Sequence, residues 1–487
     1  MSLKQKTITG LSWSFIDNFL ARSISVAIYI VLANLLPPTE FGIVGLVTFF
    51  IAISGSFVDS GFASFLIKEK DCTTVDCNTV FYFNVFVAIF LYLLLFCSAP
   101  FIEYFYNKPG LTSIMRVVCL VLIINAVGAI QNTLLIKKVD FKTRTKVSII
   151  SDTLSGGIAI FLAYKGFGVW SLVWKSVLGQ SFTTILLWVL NSWRPAAVFS
   201  FKRFKEMFGF GYKLALSGLI DNAYKNIYYP IIGKCFSFDT LAFYTQSERF
   251  TDLLASTLTF NIQRVSFPVL SSIQDDPKKL RTGYQKMIKS TMMITFSLML
   301  GLAAIAKPLI IILIGEEWLP CVPYIQIMCL YSMLNPLHAM NLNIIVVKGR
   351  SDWFLKLEII KKIILVPLIF VVIYLGIEAL LIGTFVTSII SYFLNSYYSA
   401  RLINYSSKAQ LVDIMPLFAV AFIVSSFVWC ITLLGWNNWI TIILQMGFGI
   451  LLTVGIYEII GQPNYQEMKD VVIDMKSKIL RSRKTTK

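Results

Sequence analysis

Fourteen stretches of about 20 predominantly apolar residues recur along this chain, each long enough to cross a bilayer as a helix. They centre near residues 23, 53, 91, 124, 156, 180, 222, 254, 300, 333, 364, 389, 423 and 447. Hydrocarbon offers no water to a peptide N–H or C=O, so a spanning chain must form helices or a closed barrel. These runs are too long and continuous for barrel strands, which need only about 10 residues. The expected fold class is an all-α integral membrane protein with about 14 transmembrane helices. Composition agrees: 56% of the 487 residues are hydrophobic and 14% charged, against roughly 25% charged in a soluble protein. Mean hydropathy is +0.73.

The first apolar segment is expected to be retained. It is too long for the core of a signal peptide and has no small-residue cleavage site. The formal charge of +17 would suggest nucleic acid in a soluble chain. Here it has a simpler home in cytoplasmic loops, and no nucleic-acid partner is expected. With the N-terminus inside, stretches such as "KKVDFKTRTK", "QDDPKKLRTGYQKMIK" and the tail from Lys469 fall on the cytoplasmic side. Those inner stretches hold about 29 of the 43 Lys and Arg, and the outer ones about three. Fourteen spans then place both termini in the cytoplasm of a plasma membrane.

The eight cysteines are scattered, and Cys72 with Cys77 is the only close polar pair. With a single histidine, His338, a metal site is not expected, and the thiols read as reduced. No phosphate-binding GxxxxGK[ST] loop and no serine–histidine–acid set occurs, so the chain reads as a non-enzyme without a cofactor.

A faint internal symmetry divides the chain. "TEFGIVG" at 39–45 is echoed by "DTLAFYT" at 239–245, and Asp17-Asn18 with Arg22 by Asp221-Asn222 with Lys225. The offset of 200 residues corresponds to six helices. This organisation reads as a six-helix lobe (1–193), a cytoplasmic linker (194–210), a second six-helix lobe (211–403), two further helices (404–460) and a basic tail (461–487). Repeated halves commonly flank a substrate pathway in transporters.

In "LANLLPPTEFGIVGL", "DSGFASFLIKEKD", "GFGVWSLVWKSVLGQ", "NAYKNIYYPIIGKCFSFDTLAFYTQSERF", "KPLIIILIGEEWLPCVPYIQIM" and "KGRSDWFLKLEII", taken in order, the chain resembles the polysaccharide exporters, or Wzx-type lipid-linked oligosaccharide flippases. These belong to the multidrug/oligosaccharidyl-lipid/polysaccharide exporter superfamily. The resemblance implies two six-helix lobes around a V-shaped central lumen. It also implies movement of undecaprenyl-diphosphate-linked sugar repeats across a bacterial plasma membrane. The products served would be lipopolysaccharide, capsule or exopolysaccharide. One departure is Ala242, where the family often has glycine.

An ionisable residue inside a span must face a polar cavity or a partner. On the first helix pair of each half these are Asp17, Arg22, Asp59, Asp221, Lys225, Glu248 and Arg249, with Asp252 close by. A lipid diphosphate needs bases, and Arg presents a planar fork that matches phosphate oxygens. Arg22, Lys225 and Arg249 are therefore the expected headgroup ligands. Asp17, Asp59, Asp221, Glu248 and Asp252 are the expected lumen acids, with coupling to protons, sodium or membrane potential left open. Local pairing is the alternative for Asp221–Lys225 (i, i+4) and Arg249–Asp252 (i, i+3). Asp17 and Arg22 stand about 140° apart on a helix and do not pair directly. His338 reads as a hydrogen-bonded structural residue or a proton switch. The expected partners are the lipid-linked oligosaccharide, membrane lipids and the polysaccharide polymerase machinery, with the transporter itself a monomer. A cation-coupled multidrug antiporter and a glycosyltransferase acting on polyprenyl-linked sugars are the competing readings.

Overall fold

The computed structural model describes residues 23–59, 61–69, 72–467 and 469–470. Among them the chain is helical throughout, with no strand. Nine helices among the described residues are long and apolar enough to cross a membrane. The chain divides into two compact units, residues 1–245 and 246–487.

In the first unit the helices are α1 (Ser23–Leu35), α2 (Pro38–Asp59), α3 (Phe62–Lys68), α4 (Thr74–Tyr106), α5 (Leu111–Val118), α6 (Leu120–Lys137), α7 (Phe141–Tyr164), α8 (Val169–Leu190), α9 (Phe201–Asn226) and α10 (Tyr228–Cys235). Local chemistry sets their ends. Thr73 and Asp76 form a reciprocal capping box at the start of α4, and Asp140 and Ser200 cap α7 and α9. Asn107 closes α4 in the left-handed conformation. Pro230 has no N–H for the carbonyl of Asn226, and the helical run breaks there into α9 and α10.

The interior of this unit is polar by the standards of a soluble core. Asn84, Gln131, Thr133, Ser151, Ser155, Ser171 and Thr184 are buried, while Phe86, Phe90, Phe101 and Tyr104 on α4 are exposed. Lipid tails are as apolar as leucine, so membrane helices associate through small residues and hydrogen bonds instead. Accordingly Thr184 Oγ1 donates to the Ile124 carbonyl at 3.0 Å, Trp188 Nε1 to Val127 at 3.0 Å and Asn191 Nδ2 to Gln131 at 3.2 Å. These bonds join α8 to α6.

α11 (Phe238–Ser272) begins in the first unit and continues into the second. The second unit adds α12 (Pro277–Ile314), α13 (Cys321–Ser332), α14 (Asn335–Val347), α15 (Ser351–Leu375), α16 (Ile377–Ile403), α17 (Ser407–Cys430) and α18 (Asn438–Ile460). α12 is its central post, touching α13, α14, α16, α17 and α18. Its inward face buries Tyr284, Ile288, Met292, Met293, Phe296 and Met299. Pro336, like Pro230, removes a donor four residues after a carbonyl (that of Ser332), and α13 ends at that residue. Here too polar groups knit the helices. Ser399 Oγ donates to Asn341 Oδ1 at 2.5 Å, and Gln445 Nε2 donates to the Val428 carbonyl at 2.9 Å.

Candidate functional site

Along α2 runs a seam with α9, α10 and the first turns of α11, all inside the first unit. At one end Thr39 Oγ1 donates to Asp239 Oδ1, two residues 200 positions apart. One turn on, Gly42 lies so close to Phe238 that a Cβ there would sit 1.9 Å from its carbonyl oxygen. Gly45 faces Thr245, with 3.2 Å between an added Cβ and its Cγ2. Further along, Asn222 Nδ2 donates to Ser56 Oγ at 2.7 Å. Past the end of α2, Gly61 holds φ +68°, and a Cβ would meet the Gly211 carbonyl at 2.6 Å. Along α9 residue numbers fall as those on α2 rise, so these two run antiparallel, whereas along the first turns of α11 they rise together, from Asp239 at Thr39 to Thr245 at Gly45. "TEFGIVG" and "DTLAFYT", paired in sequence by their likeness, are thus paired in space. Ala242, in place of the family's glycine, is fully buried in that contact region.

On α9 beside Asn222, Asp221 and Lys225 are both exposed. The i, i+4 spacing puts these two charges on one face, about one turn apart. Glu248 and Arg249 are half-buried and Asp252 is exposed, on α11 in the second unit. Asp252 follows Arg249 by three residues, again on one helix face. Asp17 and Arg22 lie outside the described residues. Of Asp59 only the backbone is described, at the last position of α2.

Other charges in the apolar segments have settled partners. The Lys175 ammonium is buried 4.0 Å over the ring of Tyr29. The Arg116 guanidinium lies 4.1 Å over Phe96 and donates to its carbonyl at 3.4 Å. Cation–π contact of this kind lets a base sit among apolar helices. Glu358 and Lys361 pair on α15. His338 Nε2 lies 3.0 Å from Ser388 Oγ, and Nδ1 lies 3.4 Å from Asn395 Nδ2. Ser388 donates onward to the Tyr331 carbonyl. That chain of donors fits a neutral imidazole protonated on Nε2 and tied into helix packing.

Sequence reasoning did not reach the clamp at the start of α4. Residues 191–200 form the non-helical link between α8 and α9. Ala196 N donates to Asn78 Oδ1 at 3.1 Å and Ser200 N to Thr79 Oγ1 at 3.2 Å. Arg203 grips Asp76 with two bonds, 2.6 Å and 3.1 Å long. The readable signal was "TTVD", a capping box whose acid can also accept from elsewhere. Beside it the Cys72 and Cys77 sulfurs lie 3.5 Å apart. The hydrogen bond from Cys77 brings the Cys72 thiol down to about 7, with burial opposing it and the Lys137 charge helping. Among the described residues no group of His, Cys, Asp and Glu could hold a metal ion.

Comparison with known proteins bears on the family and the fold. The chain is 26% identical over 353 residues to the teichuronic acid biosynthesis protein TuaB of Bacillus subtilis, covering 72% of this chain and 73% of that one. It is 23% identical to the lipopolysaccharide biosynthesis protein WzxC of Escherichia coli, over 76% and 75% of the two chains. Among solved structures, the lipid II flippase MurJ in an inward closed conformation superposes with a TM-score of 0.72 at 12% identity, covering 93% of this chain and all of that one. A multidrug resistance MATE family transporter of the MOP superfamily, in an inward-facing conformation, gives 0.61 at 16% identity, covering 80% and 99%. Residues 31–323 match the polysaccharide biosynthesis protein family, and the chain belongs to that family.

Proposed function

We propose that this protein is a flippase that carries a polyprenyl-diphosphate-linked oligosaccharide from the inner to the outer leaflet of a bacterial plasma membrane, for surface polysaccharide synthesis. The observation that carries the reading is a coincidence. A polysaccharide-biosynthesis family match spans residues 31–323, and the fold of a lipid II flippase spans 93% of the chain. Relatives in teichuronic acid and lipopolysaccharide synthesis support the saccharide part of the assignment.

The proposed architecture is fourteen spans, as two six-helix lobes and two further helices, with both termini in the cytoplasm. Its support is that nine helices among the described residues are long and apolar enough to span, and that shorter or more polar helices occupy described parts of the remaining apolar stretches. The hydrogen bond between Thr39 and Asp239, 200 residues apart, supports the internal repeat.

The mechanism we favour is alternating access. Asp221 and Lys225 are exposed on α9. A charge facing lipid would cost several kcal/mol, so an exposed charge on such a helix belongs to an aqueous cavity. There Lys225, with Arg22 and Arg249, would bind the diphosphate. Asp17, Asp59, Asp221, Glu248 and Asp252 would set the field or take a coupling cation. Each full charge crossing the membrane field is worth about 2.3 kcal/mol per 100 mV, enough to bias a cycle without nucleotide. No enzymatic step is invoked.

Cation-coupled drug antiport is the competing function on the same fold. Bases among the cavity charges weigh against cationic drugs as cargo. The test uses cells lacking their own copy of the gene. Wild-type protein restores surface glycan, and Lys225→Ala and Arg249→Ala at equal expression do not. Normal glycan from both variants would sink the site. Absence of any lipid-linked saccharide accumulating in the deletion strain would sink the flippase reading itself.

A further inference from the structure

The second unit holds a basic pocket unconnected with the charges above. It is a cavity of about 440 Å³ where the start of α12 meets the link between α16 and α17. Arg281, Tyr397, Arg401, Asn404 and Ser407 line it. From these residues the geometry points to a binding site for the phosphate headgroup of an anionic membrane lipid.

The local fold builds the pocket. Asn404 ends α16 in the left-handed conformation at φ 51°, which turns the chain back at once. Ser406 then caps α17 by accepting from Ala409 N at 3.2 Å. The first turn of this 24-residue helix therefore opens at the cavity wall, with the positive end of its dipole there. Ser407 Oγ already accepts from Ser396 Oγ at 2.8 Å, which leaves its own proton to donate.

Two guanidiniums supply the charge. Arg401 lies 4.3 Å over the ring of Tyr397 and donates to that residue's hydroxyl, so its plane is held by stacking. Arg281 comes from α12. Among the described residues neither guanidinium meets a carboxylate. The acid nearby, Asp413 on α17, is neutralised by Lys289 at 2.8 Å and accepts from the Tyr405 hydroxyl at 2.6 Å. Lys408 adds a further positive charge in the first turn of α17. The balance at the pocket is positive.

A free anion and a lipid headgroup share this chemistry, and the surface beside the pocket chooses the lipid. Three membrane helices end or begin here, which is the headgroup level of a bilayer. From Tyr397 an exposed apolar stripe runs along α16 through Phe393, Ile390 and Val386, at the spacing of one helix face. Val412 and Met415 on α17 are exposed as well. A phosphate in the pocket with acyl chains along these residues satisfies both surfaces, and inorganic phosphate would use only one.

Native mass spectrometry of the full-length purified protein tests this, with dioleoyl phosphatidylglycerol, dioleoyl phosphatidylethanolamine and inorganic phosphate as probes. The wild type should retain phosphatidylglycerol in preference to phosphatidylethanolamine. Arg281→Gln and Arg401→Gln should each weaken that preference about fivefold, in keeping with one basic contact apiece to an anionic lipid. Ile390→Asn should weaken binding of the dioleoyl lipid and leave a dibutyryl phosphatidylglycerol unaffected. An unchanged preference in the Arg281→Gln/Arg401→Gln double variant, at wild-type thermal stability, overturns the site. Displacement of the lipid by millimolar phosphate, with no effect of Ile390→Asn, overturns the lipid assignment. Should the double variant not fold, the two single variants carry the same comparison.

Discussion

The two ends of α9 treat charge in opposite ways. At its first turn Arg203, one-third exposed, is locked onto an Asp76 that is wholly buried. Some 22 residues on, about 33 Å along a helix, Asp221 and Lys225 are exposed while Asn222 between them bonds to Ser56. A charge already held by the protein has its stabilisation built into folding. An exposed base on the same helix, Lys225, is the one proposed above to meet the substrate. The contrast sets a structural base and the proposed substrate base on a single element.

The largest expected effect breaks the first end. Asp76→Ala removes one of the two carboxylates that hold Arg203, the other being Glu206 at 2.8 Å, and half of the cap on α4. Loss of the cap and of the hydrogen bonds to Arg203 costs about 2 kcal/mol, which a thermal melt of the purified protein would show as a clear drop. A melt within a degree or two of wild type would mean that the clamp is ornamental. Next comes the seam between the ends. Gly42→Ala must push Phe238 away, because the new Cβ would lie 1.9 Å from its carbonyl. Overpacking of that kind costs about 2 kcal/mol, read in the same melt.

At the other end Lys225→Ala should leave stability within about 0.5 kcal/mol. Export of surface glycan should nevertheless fall about tenfold, the loss of one charge-assisted hydrogen bond to substrate. A variant that unfolds instead would place Lys225 with Arg203 among structural charges. The smallest effect on folding is the control. Gly209→Ala, on the same helix with open space at its Cβ, should be neutral or stabilise by about 0.5 kcal/mol through helix propensity. Chemistry sharpens the clamp in a further way. Cys72, with its thiol brought down to about 7, should be alkylated by iodoacetamide along a pH profile centred there. A free thiol titrates near pH 8.5. Deprotonation, and with it reactivity, is lost as the pH falls below 7. Replacing Cys77 by Ala removes the hydrogen bond and should move the midpoint upward.

Much of the helical plan is legible in hydropathy, because lipid leaves the backbone no alternative. Spans such as α4 and α12 announce themselves as unbroken apolar runs. α9 is harder to read. Its sequence "FKRFKEMFGFGYKLALSGLIDNAYKN" mixes bases through the run, and Phe201 starts a helix inside the stretch read as linker, 194–210. What anchors it is an aromatic cluster, with Phe204 5.0 Å from Phe83 and 6.0 Å from Phe62 between ring centres. Such contacts are tertiary and leave no periodic trace. For the site, sequence could name Lys225 and Asp221 as charges in a span. It could not tell them from Lys175, which ends buried against Tyr29. The difference lies in which helix face meets a neighbour, a matter of packing 150 residues away. The clamp was hidden for the same reason, since Asp76 and Arg203 are 127 residues apart.

The Gly42 contact with the Phe238 carbonyl has a mechanical meaning. Side chains that interdigitate behave like gear teeth: separating them requires rotamer changes and leaves hollows behind. Backbone laid against backbone, with the Cβ missing, is closer to a smooth bearing. Such a joint can sit tight when shut and yet part, or slide by a fraction of a turn, with few side chains to reset. If the two repeats rock against each other along α2, position 42 is where friction would be felt first.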